Sequence, residues 1–400
     1  MRVSTAQFYI QNGLQLSNKQ AGVNEQVNYI SSGKRVITAK DDAVAYGTLA
    51  GYKNDLANIE KYQRNITQAE NHNTMVDTSL ANAEGIMNEL KDLMLQANNG
   101  VRSDDDLKSI AQQAEHSLQQ ILDIANTQDE SGSYVFSGYQ TDDAPFVLQT
   151  DNSVNYRGDD GVRELQIAKN VSIATNQSGE QVFQSVPNAL GDFSASYAQN
   201  TSGVGVESAI ISDRSVYDST RADFTFEFTS PTDLTITDGA GTVTNVTGYV
   251  PGEPIVAIPG MEVKLSGNPL PGDKFTLTPD QDISVFETLK SAIDWITNKT
   301  AGDGDPQVQV DFDEILDQLG DSMNHLTSRR AQAGINLQVI DRQKSNHLDS
   351  ELYLTSGRSS IEDLDFAKAI SSFEQSKVAL QAAQQTFTQV QGLSLFNYLR

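Results

Sequence analysis

The sequence contains no cysteine, a single tryptophan, and no proline in its first 144 or its last 94 residues. Without cysteine, disulfide bonds, thiolate metal sites and cysteine nucleophiles are excluded. Because proline interrupts helix interiors, both ends of the chain can form long helices, whereas the segment from Pro145 to Pro306 cannot. There is no apolar run long enough to cross a membrane, and residues 1–16 lack the apolar stretch of a signal peptide. We therefore expect a protein that stays in the cytoplasm or is exported without a cleaved signal peptide.

Acidic residues outnumber basic ones, and the formal net charge of the 400-residue chain is −25. A charge of this sign repels nucleic acid and anionic lipid, so we expect neither nucleic acid nor a membrane as a partner. The charge is uneven, since residues 1–40 carry five basic residues against one acidic residue, and no acidic residue follows Glu374. Both ends are therefore weakly cationic, and the middle of the chain is acidic.

Apolar residues recur at helical spacing in both ends of the chain. In the N-terminal part, the pattern predicts a helix over residues 43–97, about 80 Å long at the usual rise per residue. This helix should end at Asn98-Asn99-Gly100, which is a typical C-terminal cap. Ser103 and Asp106 have the spacing of a capping box and predict a second helix that reaches about Asn126.

The C-terminal part shows the same spacing, and Ser356-Gly357 predicts a break before a last helix that restarts at Ser359. In that last helix, large apolar residues lie seven residues apart, which is typical of a coiled-coil seam. The assembly seam predicted on this helix consists of Phe366, Phe373, Leu380 and Phe387. Its predicted counterpart on the N-terminal helix consists of Ile10, Leu14, Val27 and Ile30.

The central part shows the alternation of β-strands, for example in Phe224–Phe228, with Pro-Gly and Asp-Gly turns between the strands. The expected fold class is mainly α with a β-rich insert: a long antiparallel helical rod or coiled coil with paired terminal helices and a small all-β head domain. Five segments follow from this interpretation: an N-terminal assembly helix (1–40), an outgoing rod half with β-hairpins (41–179), the β head (180–283), a return rod half (284–356) and a C-terminal assembly helix (357–400).

Several short motifs occur in order at the two ends of the chain. They are Ser31-Ser-Gly-Lys-Arg-Val36 with Ala39-Lys-Asp-Asp-Ala43, Tyr134-Val-Phe-Ser-Gly138, Ser328-Arg-Arg-Ala-Gln-Ala-Gly334, Ile361-Glu-Asp-Leu-Asp-Phe-Ala367 and Leu393-Ser-Leu-Phe-Asn-Tyr-Leu399. This combination resembles the bacterial flagellin-like family, and the resemblance covers roughly the first 170 and the last 115 residues. It implies a structural subunit of the bacterial flagellum that is exported through the flagellar type III apparatus.

Within this family, the start Met1-Arg-Val-Ser-Thr5, the closing motif and Gly272-Asp-Lys-Phe-Thr-Leu277 resemble the hook-associated members more than the filament subunit. The resemblance implies an adaptor at the hook–filament junction that forms a ring with copies of itself. The further partners it implies are a neighbouring hook-associated protein on the hook side, flagellin on the filament side, and an export chaperone. Two alternatives stay open: flagellin itself, and a filament-displayed enzyme with its activity in the β head.

The first of these motifs forms a loop after the N-terminal helix. Its singled-out residues are Ser32, Gly33, Lys34, Arg35, Asp41 and Asp42. A phosphate-binding loop is one interpretation, but the upstream glycine and the strand of such a loop are missing, which favours a turn with solvated charges. We hypothesise that Lys34 and Arg35 meet carboxylates of a neighbouring subunit, where an exposed ion pair contributes about 0–1 kcal/mol.

Motifs for catalysis or metal binding are weak in this sequence. Asp303, Asp305, Asp311 and Glu314 approach the spacing of a calcium loop, but Val308 stands where such a loop needs glycine, which favours an acidic loop before a helix. The four histidines all lie in segments of helical pattern, and the His-Glu-x-x-His and Gly-x-Ser-x-Gly motifs are absent. We therefore predict no catalytic residue, no metal site and no cofactor.

The terminal helices are poor in charge and rich in Gln, Ala and other small residues. A two-helix hairpin of this kind is marginally stable alone and gains stability when neighbouring molecules bury its other faces. We hypothesise that both ends are disordered or loosely paired in the free monomer and become ordered on assembly.

Overall fold

The computed structural model describes residues 2–100, 102–221, 223–300 and 304–396. Parts of the motifs named above, Met1, Asp303 and Asn397–Leu399, lie outside the described residues. The chain forms two compact units, one of residues 1–64 with 342–400 and one of residues 65–341. Within the described ranges, no helix is both long enough and apolar enough to cross a membrane.

Helices form most of both ends of the chain, as the distribution of proline predicts. They are α1 (Arg2–Ser32), α2 (Ala43–Ala97), α3 (Asp104–Ala125), α4 (Val285–Asn298), α5 (Pro306–Glu362) and α6 (Phe366–Phe396). The bounds of α2 confirm the predicted helix over residues 43–97. The predicted capping box is also present, because the side chains of Ser103 and Asp106 each accept a hydrogen bond from the other residue's backbone N–H at the start of α3.

The predicted helix break at Ser356-Gly357 is wrong, because α5 continues through these residues to Glu362. Gly357 has a packing role instead. A Cβ atom at this position would lie 3.0 Å from Cε2 of Tyr52 on α2, so the glycine lets the two helices approach closely. The interruption between α5 and α6 falls at residues 363–365, and α6 starts at Phe366.

The strands lie in the proline-containing centre. They are β1 (Phe146–Leu148), β2 (Val154–Tyr156), β3 (Glu164–Ala168), β4 (Val171–Ala174), β5 (Val186–Pro187), β6 (Phe193–Gln199), β7 (Gly205–Ile211), β8 (Phe224–Phe228), β9 (Leu234–Thr237), β10 (Val243–Val246), β11 (Met261–Ser266), β12 (Lys274–Pro279) and β13 (Asp282–Ile283). The pairs β1–β2 and β3–β4 are antiparallel hairpins, which confirms the hairpins expected after the first helical block. The predicted fold class, helical terminal regions with a small β-rich insert, is confirmed.

The β head has its own apolar core. Strands β10, β9, β8, β12 and β6 form an antiparallel sheet in that order, and β11 pairs with β7. Along β8, Phe224, Phe226 and Phe228 are buried, whereas the residues between them are not, as the alternation of period two predicts. The ring of Phe226 stacks on Phe275 of the neighbouring strand β12, with ring centroids 4.9 Å apart.

The head packs on the first turns of α5 through residues four positions apart, which share one face of that helix. A side chain at Gly203 would approach Pro306 to 3.1 Å, and one at Gly205 would approach Val310 to 3.1 Å. One turn further, Tyr197 donates a hydrogen bond to Glu314. The next residue on this face of α5 is Gln318, whose side-chain oxygen accepts a hydrogen bond from the N–H of Ala189 at 2.7 Å.

The helical part of the second unit is held by a continuous apolar core that includes residues of α2, α3, α4 and α5. The single tryptophan, Trp295 on α4, belongs to this core and lies 5.2 Å from the ring of Phe312 on α5. A buried pair of amides, Asn73 on α2 and Asn336 on α5, joins the two long helices by a hydrogen bond of 3.0 Å. Asn73 also donates to the carbonyl of Ala174 in β4, so these two hydrogen bonds depend on one arrangement of α2, α5 and β4.

Candidate assembly interface

Helices α1 and α6 pair in antiparallel orientation within the first unit. At one end of the pair, the carbonyl oxygen of Gly33, just after α1, accepts a hydrogen bond from the N–H of Leu364, just before α6. Towards the other end, the ring centroids of Tyr9 and Phe387 lie 6.4 Å apart. The side chains that are at least partly buried between them recur at steps of three and four, with one step of seven from Leu16 to Val23, as in a coiled coil. These inner residues are Tyr9, Asn12, Leu16, Val23, Gln26 and Ile30 on α1, and Ala369, Phe373, Ser376, Leu380, Ala383 and Phe387 on α6.

The structure divides the predicted assembly seam into two groups. Ile30, Phe373, Leu380 and Phe387 lie on the inner face of the pair. The other four are exposed: Ile10 is 64% exposed, Leu14 60%, Phe366 50% and Val27 45%. Ile10, Leu14 and Val27 therefore do not take part in the pairing of α1 with α6 within one chain, and their role in an assembly seam stays a prediction.

The reason lies in the helical repeat of α1. Ile10 and Leu14 are turned well away from Tyr9 and Leu16, since each residue advances the helix by about 100°. The residues missed on the inner face, Tyr9 and Leu16, carry a signal that the sequence offered: with Val23 and Ile30 they form a series spaced by seven.

The outer faces of these helices carry large apolar side chains. Besides Ile10 and Leu14 on α1, Ile370 and Val378 on α6 are more than half exposed. Further along the chain, Leu348, Leu352 and Tyr353 on α5 and Val44 on α2 are exposed too. Exposed apolar residues grouped on helices in this way are typical of surfaces that contact another protein.

The motif loop after α1 is a turn organised around Asp41. Its carboxylate accepts hydrogen bonds from the backbone N–H groups of Thr38 and Ile37 at 2.8 and 2.9 Å, and from the hydroxyl of Tyr29 at 2.8 Å. These bonds, the one from Thr38 foremost, lower the pKa of Asp41 to about 2. Burial, together with the bond to Asp41, raises the pKa of Tyr29 to about 12. Asp42 follows and caps α2, since its side chain accepts from the N–H of Ala45 at 2.9 Å.

The remaining residues of this loop include two that contact the last residues of α5. Gly33 has a positive φ of 69°, and Ser32 accepts a hydrogen bond from the N–H of Lys34 at 3.3 Å. Lys34 forms an ion pair of 2.8 Å with Glu362, and Arg35 donates to the carbonyl oxygen of Ile361 from two side-chain nitrogens at 3.2 and 2.8 Å. Both cationic side chains thus have partners within the chain, and the contact with carboxylates of a neighbouring subunit stays a prediction.

Two of the acidic residues compared with a calcium loop, Asp311 and Glu314, have protein partners. Glu314 accepts from the hydroxyl of Tyr197, and Asp311 accepts from the side-chain amide of Gln307. Among the described residues, no group of three or more His, Asp and Glu side chains is arranged to hold a metal ion. Of the histidines, His325 contacts the carbonyl oxygen of Gln181 at 2.8 Å, and His347 stacks on Tyr62.

Two family models match the helical ends of the chain. The bacterial flagellin N-terminal helical region matches residues 3–141, and the bacterial flagellin C-terminal helical region matches residues 316–399. The chain belongs to the flagellin-like family. The resemblance drawn from the short motifs is thereby confirmed, and the paired helices α1 and α6 lie in these matched regions.

Similar proteins match this chain over different lengths. Flagellar hook-associated protein 3 of Escherichia coli strain K12 is 25% identical over 396 residues, which cover 99% of each chain. Phase 1 flagellin of Salmonella naestved is 26% identical over 122 residues, which cover 30% of this chain and 24% of the flagellin. The crystal structure of flagellar hook associated protein-3 from Legionella pneumophila is similar, with a TM-score of 0.67 and 25% identity over 78% of this chain and 98% of that one.

Proposed function

We propose that this chain is a structural subunit of the bacterial flagellum that acts as an adaptor between hook and filament. The observation that carries the proposal is the extent of similarity. It runs through the β head and both helical ends for the hook-associated protein, whereas it covers only 122 residues for the flagellin. The role is structural, and no enzymatic step is part of it.

The proposed mechanism is the packing of the α1–α6 pair into a tubular wall. The inner residues hold the two helices of one chain together. The exposed residues Ile10, Leu14, Val27 and Phe366 then become the surface that contacts neighbouring molecules. This assignment follows from the hydrophobic effect, because these side chains lose contact with water only when another protein covers them.

The proposed partners follow from the junction role. Copies of the chain form a ring, a hook-associated protein contacts it on the hook side, and flagellin contacts it on the filament side. Before assembly an export chaperone binds the chain, which leaves the cell through the flagellar export apparatus. We also propose that α1 and α6 are only loosely held in the free monomer, since each is 31 residues long and they pack against each other along one face.

Complementation tests the junction role. The gene for this chain is expressed in a strain that lacks its own junction protein, and flagellin in the medium is measured together with attached filaments. We expect attached filaments and little free flagellin. Flagellin that stays in the medium at the level of the deficient strain, despite export of the chain, contradicts the proposal. Long filaments grown from the purified chain on seeds would show instead that it is a filament subunit.

A further inference from the structure

The inner faces of α1 and α6 repeat every seven residues. On α1 the large apolar residues are Tyr9, Leu16, Val23 and Ile30, and on α6 they are Phe373, Leu380 and Phe387, preceded by Phe366 at the same spacing. If one helix slides along the other by seven residues, most apolar side chains still meet apolar side chains. A seam of this kind selects the register of a coiled coil only weakly.

A second contact joins the two helices at one end. The N–H of Arg35 donates to the carbonyl oxygen of Glu362 at 2.7 Å, and the N–H of Leu364 donates to that of Gly33 at 3.0 Å. Lys34 and Asp363 are thereby paired like residues of two antiparallel strands. We call these contacts, with the ion pairs of Glu362, the linker clamp.

Glu362 is the centre of the linker clamp. The residue is only 5% exposed, and its carboxylate lies 2.8 Å from Lys34 of the loop after α1 and 2.9 Å from Lys53 of α2. Arg358 of α5 approaches it to 3.7 Å. The hydrogen bond from Lys34, with that from Lys53, lowers the pKa of Glu362. Glu362 is buried, whereas the side chains of Lys34 and Lys53 are about half exposed, so removing the carboxylate takes away the one group that holds both lysines at this point.

The linker clamp and the far end of the helix pair agree in register. Tyr9 lies 25 residues before Lys34, and Phe387 lies 24 residues after Asp363. Because both helices rise by the same amount per residue, the pairing at the clamp brings Tyr9 and Phe387 to the same level. A slip of seven residues would separate these levels by about 10 Å, and no part of the clamp would then form.

We propose that the linker clamp around Glu362, and not the apolar seam, sets the register in which α1 pairs with α6. The seam supplies attraction that is similar in several registers, and the clamp selects one of them. Lys34 and Glu362 are therefore positioning residues for whatever surface the outer faces of α1 and α6 present together.

Disulfide trapping in the full-length chain tests the proposal, because the chain has no cysteine of its own. The register set by the clamp places Leu16 level with Leu380. Leu16→Cys with Leu380→Cys therefore reports the register of the structure. Leu16→Cys with Phe373→Cys, and with Phe387→Cys, report slips of one repeat in each direction. A disulfide needs Cα atoms within about 7 Å, so each pair detects its own register only.

With the clamp intact, we expect the Leu380 pair to form its disulfide at least about tenfold faster than either slipped pair. With Glu362→Gln, we expect the ratio to fall to about threefold or less, because charge-assisted hydrogen bonds of the clamp are lost. Lys34→Met should act in the same direction while leaving Glu362 paired with Lys53. Glu60→Gln, which removes the exposed ion pair with Arg64 on α2, is the matched control and should keep the original ratio.

Circular dichroism of each variant reports whether its helices are intact. If Glu362→Gln fails to fold, the ratio of disulfide formation rates in Lys34→Met tests the proposal. A ratio that stays above about tenfold in Lys34→Met, or in a folded Glu362→Gln, overturns the proposal. It is equally overturned if all three cysteine pairs react at similar rates with the clamp intact. The readout is made on the free chain, so its result does not depend on the junction role.

Discussion

The burial of Glu314 of α5, beside Tyr197 of the β head, makes the stability of this chain depend on pH. The hydroxyl of Tyr197 donates to the carboxylate of Glu314 and accepts a hydrogen bond from the N–H of Val206 at 2.8 Å. Asp311 and Asp313 lie on the same helix nearby, and their charges oppose ionisation of Glu314. Burial is the main effect, and together with these charges it raises the pKa of Glu314 from 4.5 to about 7.

The direction of the effect follows from proton binding. Between about pH 4.5 and pH 7 the folded chain keeps a proton on Glu314 that the unfolded chain releases, so the free energy of unfolding falls as the pH rises through this range. The full shift corresponds to about 3 kcal/mol at 1.36 kcal/mol for each pKa unit. Glu314 keeps partial contact with solvent, and we therefore expect about 2 kcal/mol.

Glu314→Gln removes the ionisation and keeps an oxygen that accepts the hydrogen bond from Tyr197. At pH 8 we expect this variant to be more stable than the original chain by about 2 kcal/mol, and at pH 4.5 the difference should shrink below about 0.5 kcal/mol. Urea unfolding, monitored by tryptophan fluorescence, measures this difference in the free energy of unfolding. The single tryptophan, Trp295, is 7% exposed and donates to the carbonyl oxygen of Val308 at 2.8 Å, two turns before Glu314 on α5.

Glu207→Gln is the matched control. Glu207 is a carboxylate of the same β head, is half exposed and pairs with Lys264 at 2.7 Å, so its replacement should change stability by less than about 1 kcal/mol at either pH. If Glu314→Gln stabilises the chain equally at pH 4.5 and pH 8, or destabilises it at both, the pKa argument is wrong.

Three further substitutions separate the inner, outer and close-packed positions of the helices. Phe373→Asp places a charge on the inner face of the α1–α6 pair and should block incorporation at the junction while residues 43–355 stay folded; normal filament attachment would refute this. Leu14→Asp, on the exposed face, should change the unfolding free energy by less than about 0.5 kcal/mol and yet reduce incorporation, and normal assembly would show that this face has no neighbour. Gly357→Leu should lower the free energy of unfolding by about 1–3 kcal/mol, because the side chain collides with Tyr52; an unchanged urea midpoint would contradict the packing role of this glycine.

Features encoded by neighbouring residues were accessible from the sequence. The limits of α2, the capping box at the start of α3 and the alternation along β8 depend on contacts a few residues apart. The positions of the prolines predict where long helices cannot form, because the effect of proline on the backbone is local. The family was also accessible, since its motifs are short runs of consecutive residues.

Tertiary contacts decided what local pattern left open. Gly357 carries the same signal whether it ends a helix or lets Tyr52 approach, and only the position of α2 distinguishes these roles. Arg35 and Ile361 are 326 residues apart, so no spacing rule could join them. On α1, apolar residues occur on more than one face, and the placement of α6 determines that Leu16 is inside while Ile10 and Leu14 are outside. A chain whose helices offer similar seams in several registers relies on such long-range contacts, because local periodicity describes a face of a helix and not its partner.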